Sequence, residues 1–217
     1  MLIVFEGVDG SGKTTQADLF AEYLSKCGYD VLRTREPGGC PSSEMIRSLV
    51  KDKTVELSNE SIFFMLLAAR IEHTNKVIRP ALLAGKVVIC DRFIMSSQVL
   101  QSYVAGFDIE LMDMLHKRFV TNVTPSLTFV LDLAPEIAYQ RKHNDYDRFD
   151  SMDLSFYERS RNGYLHYADS KRVKVFDASQ SINAVHDDVV KGFAEYLDDT
   201  LTPNSRRNKR LPSVANV

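Results

Sequence analysis

The stretch Leu2-Ile3-Val4-Phe5-Glu6-Gly7-Val8-Asp9-Gly10-Ser11-Gly12-Lys13-Thr14 decides the fold. Leu2–Phe5 is a short β-rich run. Gly7–Thr14 fits the pattern GxxxxGK[ST], a phosphate-binding loop. Thr14–Lys26 then places Ala17, Phe20, Ala21 and Leu24 at three- and four-residue spacing, which makes one helical face. Strand, glycine loop and helix in that order is the context the pattern requires. Glycines let successive N–H groups turn toward phosphate oxygens. The helix N-terminus adds partial positive charge. Lys13 can then reach the β- and γ-phosphates of a nucleotide, and the Thr14 hydroxyl can ligate Mg2+.

Outward from this loop, short apolar runs alternate with helical stretches. Cys27-Gly28 is a helix stop, and Val31–Thr34 is a second strand. Glu60–Leu83 is long, apolar and mostly helical, with Pro80 and Gly85 as breaks. Val87–Cys90 is a continuous apolar run ending at Asp91, the pattern of a buried parallel strand. Ile109–Phe119 has helical spacing. Leu127–Leu131 is a strand followed by Pro135 at a helix start. Val173–Phe176 is a fifth strand and Ile182–Leu197 a last helix. Five strands separated by helices predict an α/β fold, a five-stranded parallel sheet flanked by helices on both faces. Asp91 then sits at the carboxyl edge of a strand, where ligands bind in open α/β sheets. Its carboxylate can hold Mg2+ or its waters; the competing reading is a strand-end turn. The expected organisation is one domain over residues 1–201, with a short mobile lid at about 141–152 and a basic, flexible tail at 202–217.

The 217 residues carry 27 Lys plus Arg against 29 Asp plus Glu, a formal net charge of −2. A near-neutral chain lacks the basic field of a dedicated polynucleotide binder. Its longest apolar run, Ile62–Ala69, is far short of the ~20 residues a membrane span needs. The first residues carry no basic n-region, so no signal peptide is expected. Cys27, Cys40 and Cys90 are too scattered for a disulfide framework or a metal motif. The five histidines are scattered as well. These features predict a cytoplasmic protein with no membrane partner and no nucleic-acid partner.

The phosphate loop could serve several enzyme classes. A guanine-reading Asn-Lys-x-Asp element is absent from the sequence, and Asp91 does not open an Asp-x-x-Gly switch. Arginines instead collect at strand ends and in loops: Arg35, Arg92, Arg141, Arg148, Arg159 and Arg161. Their planar forks suit the crowded negative charge of two phosphates brought together. A small kinase acting between two bound nucleotides fits this pattern best.

The segments Phe5–Gln16 (FEGVDGSGKTTQ), Thr34–Gly39 (TREPGG), Ala68-Ala69-Arg70, Asp91-Arg92-Phe93, Leu131–Glu136 (LDLAPE), Asp147-Arg148-Phe149 and Asp177-Ala178-Ser179 stand in one order over about residues 1–197. In this the chain resembles the thymidylate kinases, a family of P-loop nucleoside monophosphate kinases. The resemblance implies the P-loop kinase three-layer fold, ATP and thymidine monophosphate (dTMP) as substrates, Mg2+, and a homodimer. It implies that Gly7, Val8, Asp9, Gly10, Ser11, Gly12, Lys13, Thr14 and Thr15 bind ATP phosphates, with Ala178 and Ser179 beside the adenine. Thr14 and Asp91 would serve the metal. On the acceptor side it implies Asp9, Arg35, Glu36, Leu66, Arg70, Arg92, Ser97 and Gln101, with Arg70 on the thymine and Arg35 and Arg92 on the phosphate. Lys13, Arg92 and Asp9 would act in the transfer itself. No loop position from Val8 to Ser11 is basic, so Arg141 and Arg148 are expected to supply the missing charge, as in lid-arginine members of the family.

Two positions depart from the family pattern. Leu66 stands where the family usually has a base-stacking Phe, and Leu100 where it often has Tyr. The expectation is weaker or less selective acceptor binding, or an aromatic supplied by Phe63, Phe64 or Phe93. The alternatives weighed are a kinase for another deoxynucleotide or deoxynucleoside, a nucleotide-binding regulator without catalysis, and a basic-tail nucleic-acid binder.

Overall fold

The computed structural model describes residues 1–142, 148 and 152–200. Most of the expected lid and all of the expected tail lie outside the described residues. Five strands form one sheet: β1 (Leu2–Glu6), β2 (Val31–Arg35), β3 (Val87–Asp91), β4 (Leu127–Asp132) and β5 (Val173–Asp177). Their order is β2-β3-β1-β4-β5, and every pairing is parallel. Every strand runs one residue beyond its apolar pattern and ends on Glu, Arg or Asp. The backbone ladder continues where hydrophobicity stops, because hydrogen bonding between strands is indifferent to the side chain.

The helices are α1 (Lys13–Lys26), α2 (Pro41–Lys51), α3 (Asn59–His73), α4 (Arg79–Leu83), α5 (Ile94–Ser97), α6 (Ile109–Phe119), α7 (Pro135–Lys142), α8 (Leu154–His166) and α9 (Ile182–Thr200). Wide π turns continue α3 through Thr74–Ile78 and α5 through Gln98–Val104. Pro80 does not break the helical run as expected. It lies in the first turn of α4, directly after the π turn, where a proline's missing N–H costs least. Gly85, at φ 80, does follow the helix end.

Alternation along the buried strands divides the core. Ile3 and Phe5 of β1, Ile89 of β3 and Phe129 of β4 face Ala17, Phe20 and Leu24 of α1 and Val189 and Phe193 of α9. Leu2 and Val4, with Val88 and Cys90, face Phe63 and Leu67 of α3, Ala81 of α4 and Met112 of α6. The first layer is an aromatic cluster. Phe20 meets Phe193 edge-on at 5.3 Å and Phe129 at 5.8 Å between ring centres; such pairs add ~0.5–1.5 kcal/mol each beyond burial. Helices therefore cover both faces of the sheet. From β1 the chain moves one way to β2 and β3, then the other way to β4 and β5. That reversal opens a crevice at the carboxyl end of β1.

Candidate active site

The phosphate loop leaves β1 at Glu6 and enters α1 at Lys13. Gly7, Gly10 and Gly12 all have positive φ, of 138°, 84° and 90°. Gly7 has no room for a side chain, since a Cβ there would lie 2.5 Å from the Leu131 carbonyl oxygen. No side chain caps the start of α1, which leaves its first amides available to an anion. Lys13 is buried, and its Nζ donates to the Val8 carbonyl at 2.7 Å and lies 3.8 Å from Asp9 Oδ1. Burial, helped by the nearby Arg92 charge, lowers the Lys13 pKa to about 8. Thr14 Oγ1 donates to Asp91 Oδ2 at 2.6 Å. These are two hard oxygen ligands at one point beside the loop, a fit for Mg2+, which takes few protein ligands and keeps waters and substrate phosphates.

The turn after β3 carries Arg92, whose side chain is 13% exposed and whose φ is 69°. A non-glycine residue in the left-handed region costs roughly 1 kcal/mol or more. Bonds on every side hold it there. Its N–H donates to the Phe5 carbonyl at 2.9 Å. Nη2 donates to Asp9 Oδ1 at 2.6 Å. Nη1 donates to Tyr164 Oη at 2.7 Å, Ser96 Oγ at 2.9 Å and the Gly7 carbonyl at 3.3 Å. Burial opposes the Arg92 charge, but Asp9 and its other partners outweigh it and hold the pKa above the ordinary arginine value. Glu6, wholly buried beneath this turn, accepts from the amides of Phe93 and Ser96 and from Ser96 Oγ. Burial raises the Glu6 pKa against the pull of Arg92.

Arg70, on α3, is also buried. Nε donates to Glu36 Oε2 at 2.6 Å. Nη1 donates to Ser97 Oγ at 2.9 Å and lies 2.8 Å from His116 Nε2, while Nη2 donates to the Phe93 carbonyl at 2.9 Å. Glu36 is held in turn by His73 Nδ1 at 3.1 Å. Arg35 sits at the end of β2 and donates to both oxygens of Glu44, at 3.0 and 3.1 Å.

These groups meet in one cavity of about 490 Å3. Asp9, Gly10, Gly12, Lys13, Thr14, Thr15 and Asp91 line it, from the phosphate loop, the start of α1 and the end of β3. Arg35, Glu36, Leu66, Arg70, Arg92, Ser97 and Gln101 line it as well. Gly7, Val8, Ser11, Ala178 and Ser179 do not line it. Val8 and Ala178 pack together in an apolar cluster under the loop. Arg141 donates to the Gly10 carbonyl at 3.0 Å, so it stands beside the loop as expected. Arg148 does not: its guanidinium donates to the carbonyls of Val50, in the last turn of α2, and of Asp52 and Val55 just after it, acceptors the helix leaves unpaired at its end. Arg161 forks onto Asp132 at 2.6 and 2.8 Å.

The expected replacement aromatic is absent from the cavity. Phe63 and Phe93 are core residues, and Phe64 is half-exposed against Phe63 and Phe107. Leu66 and Leu100 themselves line the space. Leu66 shares a helical face with Arg70 four residues on; Phe63 is on the same side of α3 but two turns from Arg70 and buried in the core, and Phe64 lies on another face.

Sequence reasoning missed Arg47 and Lys51, which line the cavity from α2. Their spacing of four, shortly after the Arg35–Gly39 turn, was the available signal. It also missed Ser96, Tyr164, His73 and His116, whose roles arise from contacts distant in sequence.

A glycine loop holding Lys13, in a cavity also lined by Arg35, Arg70 and Arg92, defines a P-loop phosphotransferase. A sequence model of the family described as thymidylate kinase matches residues 5–189. A thymidylate kinase of Symbiobacterium thermophilum is 41% identical over 203 residues, covering 91% of this chain and 94% of the relative. One from Pelotomaculum thermopropionicum is 43% identical over 210 residues, covering 94% and 97%. The crystal structure of thymidylate kinase from Ehrlichia chaffeensis superposes with a TM-score of 0.75 at 39% identity, covering 89% of this chain and 98% of that one. The chain belongs to the thymidylate kinase family, and its activity is phosphoryl transfer from ATP to dTMP, giving ADP and dTDP. No helix among the described residues is long and apolar enough to cross a membrane.

Proposed function

We propose that this cavity performs the transfer with its residues in the following roles. Gly7, Val8, Gly10, Ser11, Gly12, Thr14 and Thr15 bind the ATP phosphates, mainly through backbone amides, and Ala178 and Ser179 lie beside the adenine. Lys13 leaves the Val8 carbonyl for the phosphates. Arg35 and Arg92 bind the dTMP phosphate, Arg70 reads the thymine, and Glu36, Leu66, Ser97 and Gln101 border the nucleoside. Asp9 fixes Arg92 and faces the sugar. The observation that carries this reading is one cavity lined by Lys13 and Thr14 and also by Arg35, Arg70 and Arg92.

The acceptor is already an anion, so no strong general base is required. Catalysis is then in-line positioning plus neutralisation of charge on the transferring group. Arg92 is preorganised for this by its five bonds and so reorganises little during transfer. Arg141, beside the loop, adds positive charge on the donor side; Arg148 is the second candidate for that role. Thr14 and Asp91 would hold Mg2+, which when bound screens the nucleotide phosphates.

We also read the protein as a homodimer. Large apolar side chains are exposed on α2 (Met45, Leu49), α3 (Phe64) and α6 (Leu111, Met114), and burying them against a second copy supports this reading. ATP as donor supports a cytoplasmic location, with residues 1–201 acting as one catalytic domain.

The direct test measures ADP release with dTMP, dUMP, dCMP and thymidine as acceptors. dTMP should give the highest kcat/KM and thymidine none. Turnover with thymidine but not dTMP would overturn the assignment of Arg35 and Arg92 to the acceptor phosphate.

A further inference from the structure

Arg70 has four protein bonds, and one of them comes from an unexpected source. A guanidinium carries five N–H donors and no acceptor. The Arg70 Nη1 contact with His116 Nε2 at 2.8 Å therefore works only if that ring nitrogen presents a lone pair. Three further bonds go to Glu36, Ser97 and the Phe93 carbonyl. One Nη2 N–H remains without a partner among the described residues, on a side chain that lines the cavity.

We propose that His116 is a positioning residue for acceptor selection: it clamps the Arg70 guanidinium from α6, so that the remaining N–H keeps one direction and offers the base a donor only. Glu36 and His116 grip the guanidinium from opposite ends, one from the turn after β2 and the other from α6. A base presenting a carbonyl oxygen there is matched, and a base presenting an amino group is not. This inference rests on the reading of Arg70 as the thymine-binding residue.

His116 suits the task. It is buried and its ring meets Phe63 edge-on at 6.0 Å between centres, which fixes the plane. Burial and the Arg70 charge lower its pKa to about 3, so it stays a neutral acceptor through the working range. No cation can take its place, because a second positive charge would face Arg70.

The test is a double-mutant cycle in the full chain, with His116→Phe and Arg70→Lys, read as KM for dTMP, kcat, KM for ATP, and preference for dTMP over dCMP. His116→Phe should raise the dTMP KM about 10-fold, the scale of one lost hydrogen bond to a charged group. It should narrow the preference over dCMP and leave kcat and the ATP KM near wild type. His116→Gln, which restores an acceptor, should recover most of the loss. The double variant should be no worse than Arg70→Lys alone. If the Phe variant does not fold, His116→Leu, smaller in the same pocket, takes its place. Should Arg70→Lys raise the dTMP KM while the His116 variants leave KM and preference unchanged, or add to it independently, His116 is not a positioning residue. Should Arg70→Lys itself leave the dTMP KM unchanged, the thymine-binding reading of Arg70 fails first.

Discussion

Thr14 Oγ1 donates to Asp91 Oδ2 at 2.6 Å, so the first turn of α1 and the end of β3 share one pair of oxygens. The two residues are 77 positions apart in sequence, and the bond brings the two candidate metal ligands into register. Asp91→Asn keeps the shape but removes the charge. It should lower kcat by about 10–100-fold, the usual cost of altering a group that orients a metal, and raise the Mg2+ concentration needed for half-maximal rate. A Mg2+ titration of initial rates checks both. A wild-type Mg2+ profile in Asp91→Asn would remove Asp91 from the metal site.

Lys13 gives a proton signature. Its pKa lies near 8 because burial penalises its charge. ATP phosphates favour the charged form and must raise that pKa. At pH 8–8.5 a fraction of Lys13 is neutral before binding and charged after it, so ATP binding should take up protons. At pH 6.5 Lys13 is already charged and the uptake from it should vanish. Calorimetry in buffers of different ionisation enthalpy measures this directly. Lys13→Met should show no such uptake and little turnover.

Arg92 owes its geometry to a fork of bonds that lysine cannot reproduce. Arg92→Lys should reduce kcat/KM by about 1000-fold, the lower range for losing an arginine at a transferring phosphoryl group. Tyr164→Phe removes only one of the Arg92 partners and should cost about 3–10-fold, within reach of a single hydrogen bond. Steady-state kinetics of the two variants separate the charge from its support.

Leu66 lines the cavity, and no aromatic side chain among the described residues does. Leu66→Phe should lower the KM for dTMP, by about 10-fold if its ring stacks on the base, since such stacking contributes about 1–3 kcal/mol. An unchanged KM would show that the leucines already provide equivalent contact.

His116 also leaves a mark on stability. Its folded pKa is about 3 against an ordinary 6.5, so below pH 6.5 the unfolded chain binds a proton that the folded chain refuses. Stability from this group is fully present above pH 6.5 and falls by up to about 1.4 kcal/mol per pH unit as the pH drops toward 3. His116→Gln should therefore lose less stability than wild type between pH 6.5 and 4.5. Urea unfolding at several pH values checks the difference in slope.

The buried strands and the phosphate loop were legible because the same residues serve packing and chemistry. Val87–Cys90 is apolar throughout as both of its faces are covered, and the glycine pattern has few other uses. α2 and α8 were not legible. α2 buries only Ser43 and Val50, so it carries no core stripe. α8 turns Tyr157, Ser160, Gly163 and Tyr164 inward, residue types that periodicity does not mark as core. The arginines were found individually, and so were Asp9, Glu36 and Ser97 beside them, but their other partners were not. Tyr164 is 72 residues from Arg92 and His116 is 46 from Arg70, and nothing local signals such pairs. Arg148 was assigned on position alone, and carbonyls at and just after the end of α2 hold it instead.

The donor loop springs from β1 and the turn bearing Arg92 from β3, and these strands are paired directly, Phe5 against Asp91. Neighbouring strands lie about 4.8 Å apart whatever their side chains. The gap between the loop and the Arg92 turn, the two phosphate sites of the proposed reading, is thus inherited from the backbone ladder, as the spacing of rungs is inherited from a frame. Residues around the base, such as Leu66, Leu100 and His116, belong to helices outside that frame. On the proposed reading, a substitution in these helices changes what the base meets, while the distance between the loop and the Arg92 turn stays where the sheet has set it.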